Sequence, residues 1–269
     1  MNISEDHLDR YPDYTAYAAA KWRLFRNQTE NDTAIINATL TTVGAPVQPL
    51  TGRTLFFNGA PDGRKPSAHI HEDSLELNCG NGSPSVLLDL SAFQLVGRHN
   101  TENVAAASLA ALAAGAAPAA IQTALNDFRG KPHRVNFVRE VQGVRYYDDS
   151  KGTNVDAVAR ALDSFHQPVV LIMGGRDKGG SYRVLEKRLK QKVRQLIVLG
   201  EAAEIIAGAL RHIVPVQPAD DMGAAVRLAA QTAQAGQVVL LSPACSSFDM
   251  YENYHQRGED FCRHVQQLA

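Results

Sequence analysis

The stretch "PVVLIMGGRDKGGSYRVLEKRLKQKVRQLIVLG", residues 168–200, sets two uninterrupted apolar runs around a glycine-rich loop and a helical pattern. The first run, "VVLIMGG", is short, rich in β-branched residues and ended by paired glycines, so it predicts a buried strand. Residues 181–192 then carry the composition of a helix, and "RQLIVLG" predicts a second strand. Two apolar strands joined through a helix pair in parallel and need cover on both faces.

Working outward, the same alternation continues on either side. β-like runs occur at "RVNFV", "VRYYD", "IVPVQ" and "QVVLLSP", with helical patterns at 153–163, 201–211, 220–235 and near 256–267. Residues 130–269 therefore predict a complete Rossmann-like α/β domain with a mostly parallel sheet. In such sheets ligands bind beyond the carboxyl ends of the strands. The texture differs before residue 130. Helical composition at 14–26 is followed by short β-like runs at 33–37, 54–57, 75–77 and 85–90, separated by Gly, Pro and Asn. An Ala-rich helical pair, 100–128, closes this part, which predicts a separate unit over 1–129. "RGKPHR", residues 129–134, is the expected linker.

Composition narrows the function. The chain has 269 residues, 45% of them hydrophobic and 20% charged, enough for a real core. A net charge of -1 excludes the basic excess that bulk nucleic-acid or anionic-membrane binding calls for. Three cysteines without Cys-x-x-Cys spacing point to a reducing cytoplasm rather than a disulfide framework. The acidic start "MNISEDHLDR" lacks the regions of a signal peptide. The uncharged run 104–121 is mostly Ala and interrupted by Gly115 and Pro118, so two packed helices are expected there and no membrane span.

Three predicted strand ends carry chemistry. In "YYDDSKGTNVDAV", 146–158, N-cap residues open a helix, and Lys151 adds a positive charge where free N–H groups favour an anion. The alternative is a capped surface turn. In "GGRDKGGSY", 174–182, glycines allow close backbone approach and Lys178 is a compact donor for carboxylate or phosphate. Its spacing is neither a Walker A loop nor a dinucleotide fingerprint, and a tight charged turn is the plain alternative. In "VVLLSPACSSFDMYENYHQRGEDF", 238–261, Ser242, Ser246 and Ser247 are candidate hydrogen-bond donors. Cys245 reads more readily as a small buried residue than as a nucleophile. The three segments gain force together, because one parallel sheet would bring them to one edge.

The front part offers fewer signals. His7, flanked by Glu5, Asp6 and Asp9, suits a magnesium or manganese ion, or is incidental in an acidic turn. Lys21 in "YAAAK" reads on composition as a solvated or snorkelling side chain. Asn100 and Asn103, in "GRHNTEN", sit where a helix starts. There they could cap it or present amides to a base edge.

Taken in order, "EDHLDRY…YAAAK", "GRHNTEN", "KPHR", "DDSKGTN", "GGRDKGG" and "SPACSSFDMYENYHQRGEDF" resemble the motifs of the Mur ligases over essentially all 269 residues. The last two are nearest to the member that adds D-glutamate, and the Asp-Asn-Pro-Arg motif of the diaminopimelate- or lysine-adding relatives is absent. The resemblance implies a cytoplasmic step of peptidoglycan synthesis. ATP would phosphorylate the carboxylate of UDP-N-acetylmuramoyl-L-alanine (UDP-MurNAc-L-Ala), and the amine of D-glutamate would attack the resulting acyl phosphate. It further implies that residues 1–129 are the rear of a central ATP-binding domain and 130–269 a glutamate-binding domain. By motif, His7 and Lys21 would serve Mg2+, with Lys21 carbamylated. Asn100 and Asn103 would contact adenine, Arg134 a phosphate and Asp149 a ribose. Lys151, Thr153, Lys178, Ser247, Phe248 and Tyr254 would form the D-glutamate pocket.

Some features depart from the family. No Gly-Lys-[Ser/Thr] phosphate loop occurs in the chain, nor does the Glu expected shortly after it, so ligase activity is not expected of these residues alone. Gly152 stands where some relatives carry Ala, and Phe248 stands beside the Ser of the last motif. A non-catalytic ligand-binding module and a related ligase such as folylpolyglutamate synthase are the rival expectations.

Overall fold

The computed structural model describes residues 3, 10–40, 50–59, 67–80, 84–93, 95 and 97–269. These form two compact units, Met1–Arg129 and Gly130–Ala269. The three hydrophobic core clusters each draw their residues from one unit only.

The first unit opens with α1 (Tyr14–Trp22), whose N-terminus is capped by Asp13 accepting from the Ala16 amide at 2.8 Å. Five strands follow: β1 (Thr33–Asn37), β2 (Arg53–Phe57), β3 (Ala68–Ile70), β4 (Ser74–Leu77) and β5 (Val86–Asp89). They form one sheet in chain order, parallel from β1 to β3 and antiparallel from β3 to β5. Strand β3 is absent from the sequence-based expectation. It is three residues long, too short for alternation to register. Helices α2 (Arg98–Ala113) and α3 (Pro118–Asp127) form the Ala-rich pair. Their break is a left-handed Gly115, with the Ala116 amide reaching back 2.9 Å to the Ala111 carbonyl, and Pro118 starting the second helix. None of the described helices is long and apolar enough to cross a membrane.

In the second unit, β6 (Asn136–Val141) and β7 (Val144–Asp148) make a hairpin. Its two-residue turn, Gln142–Gly143, has positive φ at both positions, as this tight turn demands. Then come α4 (Val155–Asp163), β8 (Val169–Gly174), α5 (Glu186–Lys192), β9 (Val193–Leu199), α6 (Ala203–Leu210), β10 (Val216–Pro218), α7 (Met222–Thr232), β11 (Val238–Ala244) and α8 (Tyr254–Gln266). The helix expected over 181–192 begins as a 3-10 turn, Tyr182–Leu185, before α5. Sheet order is β10-β9-β8-β11-β7-β6, parallel throughout except at the β6 edge.

Strand periodicity divides the core. Val169, Leu171 and Met173 pack with Val158 and Leu162 of α4, Leu189 of α5 and Ile206 of α6. Val170 and Ile172 point the other way, toward Met222 and Val226 of α7 and Phe261 and Val265 of α8. The chain thus leaves β7 and β8 toward one face but leaves β11, which lies between them, toward the other. Connections that part in this way open a crevice at the carboxyl ends of the strands.

Candidate functional site

The three strand-end segments meet at that crevice. The β7 end is bonded to β11: the Asp149 amide donates to the Leu241 carbonyl at 2.8 Å and the Ala244 amide to the Gly152 carbonyl at 2.8 Å. The β8 end is bonded to β11 through Arg176 and Ser246, which exchange backbone hydrogen bonds of 2.9 and 3.0 Å. Glycines permit this approach. A Cβ at Gly174 would lie 1.9 Å from the Leu199 carbonyl oxygen, and one at Gly175 would lie 2.2 Å from that of Ser246.

Six of the sequence-derived candidates lie on the loops and helix start that border the opening. Lys178 Nζ lies 3.5 Å from Thr153 Oγ1, joining the β8 and β7 loops. Lys151 Nζ stands 4.1 Å from the centroid of the Tyr254 ring, a cation–π contact between the β7 loop and the start of α8. Thr153 precedes Asn154, which caps α4 by accepting from the Ala157 amide at 2.8 Å. Ser247 is buried and Phe248 is exposed on the β11 loop. Two ammonium groups, a hydroxyl and a helix start are therefore presented by the β7 and β8 loops of one sheet edge, with Tyr254 beside them after β11, a suitable setting for a small anion.

The acids at the β7 end are occupied by the protein. Asp148 takes the Ser150 amide on Oδ1 at 2.8 Å, and its Oδ2 lies 2.6 Å from His133 Nδ1 and 3.5 Å from Cys262 Sγ. The hydrogen bond to Asp148 pushes the His133 imidazole pKa up against the opposing effect of burial. Gly258 makes this pair possible, since a Cβ there would sit 2.1 Å from His133 Nδ1. Asp149, only 6% exposed, accepts from Ser242 Oγ at 2.7 Å. Burial pushes its carboxyl up to about 7, partly opposed by the Ser242 bond.

Arg257 was not singled out by the sequence. It is 3% exposed and donates to the Ser150 carbonyl (2.8 Å), Ser150 Oγ (3.0 Å) and the carbonyls of Cys245 (3.1 Å), Ser246 (3.3 Å) and Gly174 (3.4 Å). One guanidinium therefore ties the ends of β7, β8 and β11 together. Burial lowers its pKa to about 10, which still leaves it charged at neutral pH. A signal existed: Arg257, Phe261 and Val265 fall at i, i+4 and i+8, which puts a charge on the buried stripe of α8.

The remaining candidates sit elsewhere. Arg134 is exposed, with its amide donating to Asn136 Oδ1 at 2.8 Å. It lies between His133 and Val135, both at positive φ, and the latter is a strained conformation for a β-branched residue. In the first unit, Gly97 occupies the N-cap of α2. Asn100 and Asn103 are consequently inside the helix and do not cap it; at i and i+3 they share a face. Lys21 is exposed near the end of α1, with Nζ 4.9 Å from the Tyr17 ring centroid. His7 lies outside the described residues. Cys245 is fully buried with its thiol pKa pushed up to about 11, the state of an inert core cysteine. All three cysteines are free.

Residues 1–111 match the Mur ligase middle domain, and residues 133–245 match the Mur ligase glutamate ligase domain. The chain belongs to the Mur ligase family. Among curated proteins it is 48% identical over 267 residues to the UDP-N-acetylmuramoylalanine--D-glutamate ligase of Desulfatibacillum aliphaticivorans, an alignment covering 99% of this chain and 59% of that protein. It is 43% identical to the ligase of the same name from Desulfosudis oleivorans, covering 100% of this chain and 58% of that one. The chain thus spans less than two thirds of the length of these relatives. In fold it is similar to a pseudomurein peptide ligase type C from Methanothermus fervidus, with a TM-score of 0.73 and 14% identity over 100% of this chain and 62% of that one. It is also similar to a MurF ligase from Thermotoga maritima in complex with ADP, with a TM-score of 0.68 and 19% identity over 100% of this chain and 62% of that one.

Proposed function

We propose that this chain is the middle and C-terminal portion of an ATP-dependent ligase that joins D-glutamate to UDP-MurNAc-L-Ala in cytoplasmic peptidoglycan synthesis. Its second unit supplies the D-glutamate site. The observation that carries the reading is the placing of Lys178 against Thr153, with Lys151 over Tyr254 on the neighbouring loops. D-Glutamate carries two carboxylates, and two ammonium groups on separate loops can each take one while Thr153 donates alongside. Ser247 and Phe248 complete the pocket from the β11 loop, and Tyr254 walls it from α8. With its carboxylates held, the amine of D-glutamate is left to attack an acyl phosphate.

The nucleotide and metal roles rest on motif. Asn100 and Asn103, on one face of α2, suit an adenine edge, and the exposed Arg134 suits a phosphate; the ribose role of Asp149 rests on the motif alone, because its carboxyl is buried against Ser242 Oγ. The relationship in fold to an ADP-bound MurF supports a nucleotide. Lys21 is exposed, so its amine is open to carbamylation, and a carbamate presents the oxygen donors that Mg2+ prefers. With His7 it would hold Mg2+, which when bound neutralises crowded phosphate charge.

Titration calorimetry of the chain with D-glutamate tests the pocket. Binding that weakens at least about tenfold in Lys178→Ala supports it, on the scale of one lost charge-assisted contact. No heat at millimolar D-glutamate, with the chain folded, would remove it.

A further inference from the structure

Between β8 and the 3-10 turn at Tyr182 the backbone passes through Gly174, Gly175, Gly179 and Gly180, with φ of 137°, 126°, 75° and 137°. Such a backbone has wide conformational freedom, yet Lys178 must be held still to receive a carboxylate. The front of the loop is fixed on β11 by the paired Arg176–Ser246 bonds, and Ser246 Oγ donates to the Arg176 carbonyl at 3.1 Å. The back is closed by a side chain. Tyr182 Oη donates to Asp177 Oδ1 at 2.6 Å and lies 3.2 Å from Cys245 Sγ. Tyr182 is 4% exposed and Cys245 is fully buried, so the phenol is a post fixed in the core. Its bond to Asp177 spans residues 178–181 and closes the loop around Lys178.

Charge gives the bond a second effect. Asp177 is the chain neighbour of Lys178, and a carboxylate free to move there would compete with a ligand carboxylate for the ammonium. The Tyr182 hydroxyl holds one of its oxygens beside the β11 end.

We infer that Tyr182 is a positioning residue of the glutamate site: its hydroxyl tethers Asp177 to the core and so fixes the loop that places Lys178 toward an incoming carboxylate. The inference rests on the glutamate reading above. The test uses the full 269-residue chain as wild type, Tyr182→Phe, and Tyr182→Phe combined with Asp177→Asn. D-Glutamate affinity is measured by calorimetry, and amide relaxation at Gly179 and Gly180 by NMR. Tyr182→Phe is expected to bind about five- to tenfold more weakly, the net scale of one ordinary hydrogen bond, since the lost bond acts on Lys178 only through the loop. Its Gly179 and Gly180 amides gain fast motion while its melting temperature is kept. The double variant recovers part of the affinity, because the untethered group no longer carries a charge. A purely packing role would be indifferent to the charge at residue 177. Unchanged affinity in Tyr182→Phe overturns the inference, as does a loss that the second substitution fails to relieve. If the wild type itself does not bind D-glutamate, the glutamate reading falls and takes this inference with it. Wild-type binding with an unaffected Tyr182→Phe sinks the Tyr182–Asp177 tether alone.

Discussion

At Gly152 the missing side chain is a packing requirement. A Cβ there would meet Asp149 Oδ2 at 2.4 Å, Ser242 Oγ at 2.8 Å and the Asp149 carbonyl at 3.0 Å. The first two atoms are bonded to each other and buried, so neither can retreat cheaply. Gly152→Ala should therefore destabilise the second unit by about 1–3 kcal/mol, as overpacking does, seen as a lower urea midpoint. Asp149 itself makes a pH argument. Its folded pKa of about 7 lies above the ordinary 3.8 because of burial. Between those values the folded chain holds a proton that the unfolded chain has released, so this group's contribution to stability falls as pH rises. Asp149→Asn keeps an acceptor for Ser242 and removes the titration. Comparing urea midpoints at about pH 5 and about pH 8, the wild type should lose stability relative to Asp149→Asn at the higher pH. Equal changes in both proteins would count against a buried, proton-holding Asp149.

The elements show what sequence patterns can and cannot carry. Strands β8, β9 and β11 carry the unbroken apolar runs 169–173, 196–199 and 238–241 because both faces are covered there, and runs of this kind are legible without any structure. The convergence of three loops was legible too, since it follows from parallel order alone. Arg257 left only its place on the apolar stripe with Phe261 and Val265, a weak mark because a helix this polar hides one charged residue among many. The use of that residue appears only when three loops bring five oxygens to it. Tyr182 was hidden for another reason: its partners Asp177 and Cys245 are 5 and 63 positions away, and the Cys245 distance is set by the sheet. For α8 the consequence is testable. Arg257→Met keeps much of the volume but leaves carbonyls at three strand ends without their donor. A loss of about 3–5 kcal/mol is expected, the scale of breaking a buried charged network, with D-glutamate binding lost in parallel. Arg257→Lys should rescue little, because one ammonium cannot reach oxygens that a planar fork spans. Full rescue by Lys would show that charge alone, and not the fork, holds the loops.

For the whole molecule, the separate cores predict separable folding. The clusters built on β8 and β11 contain no residue of Met1–Arg129, and Arg129 is exposed between the units. Limited trypsin digestion should therefore cut after Arg129 and leave 130–269 as a persistent fragment with its own cooperative melt. Rapid loss of that fragment would mean that the second unit depends on the first. The same division separates binding from chemistry. Everything proposed for D-glutamate lies in 130–269, whereas no Gly-Lys-[Ser/Thr] phosphate loop occurs anywhere in the 269 residues. Ligation needs backbone amides and a lysine around the β- and γ-phosphates of ATP, since neutralising that charge is most of the catalytic task. The chain mixed with ATP, Mg2+, UDP-MurNAc-L-Ala and D-glutamate should then release no phosphate above background while still binding D-glutamate in calorimetry. Steady turnover would require a phosphate cradle built from residues other than that loop, and would redirect attention to the first unit around Lys21 and Asn100.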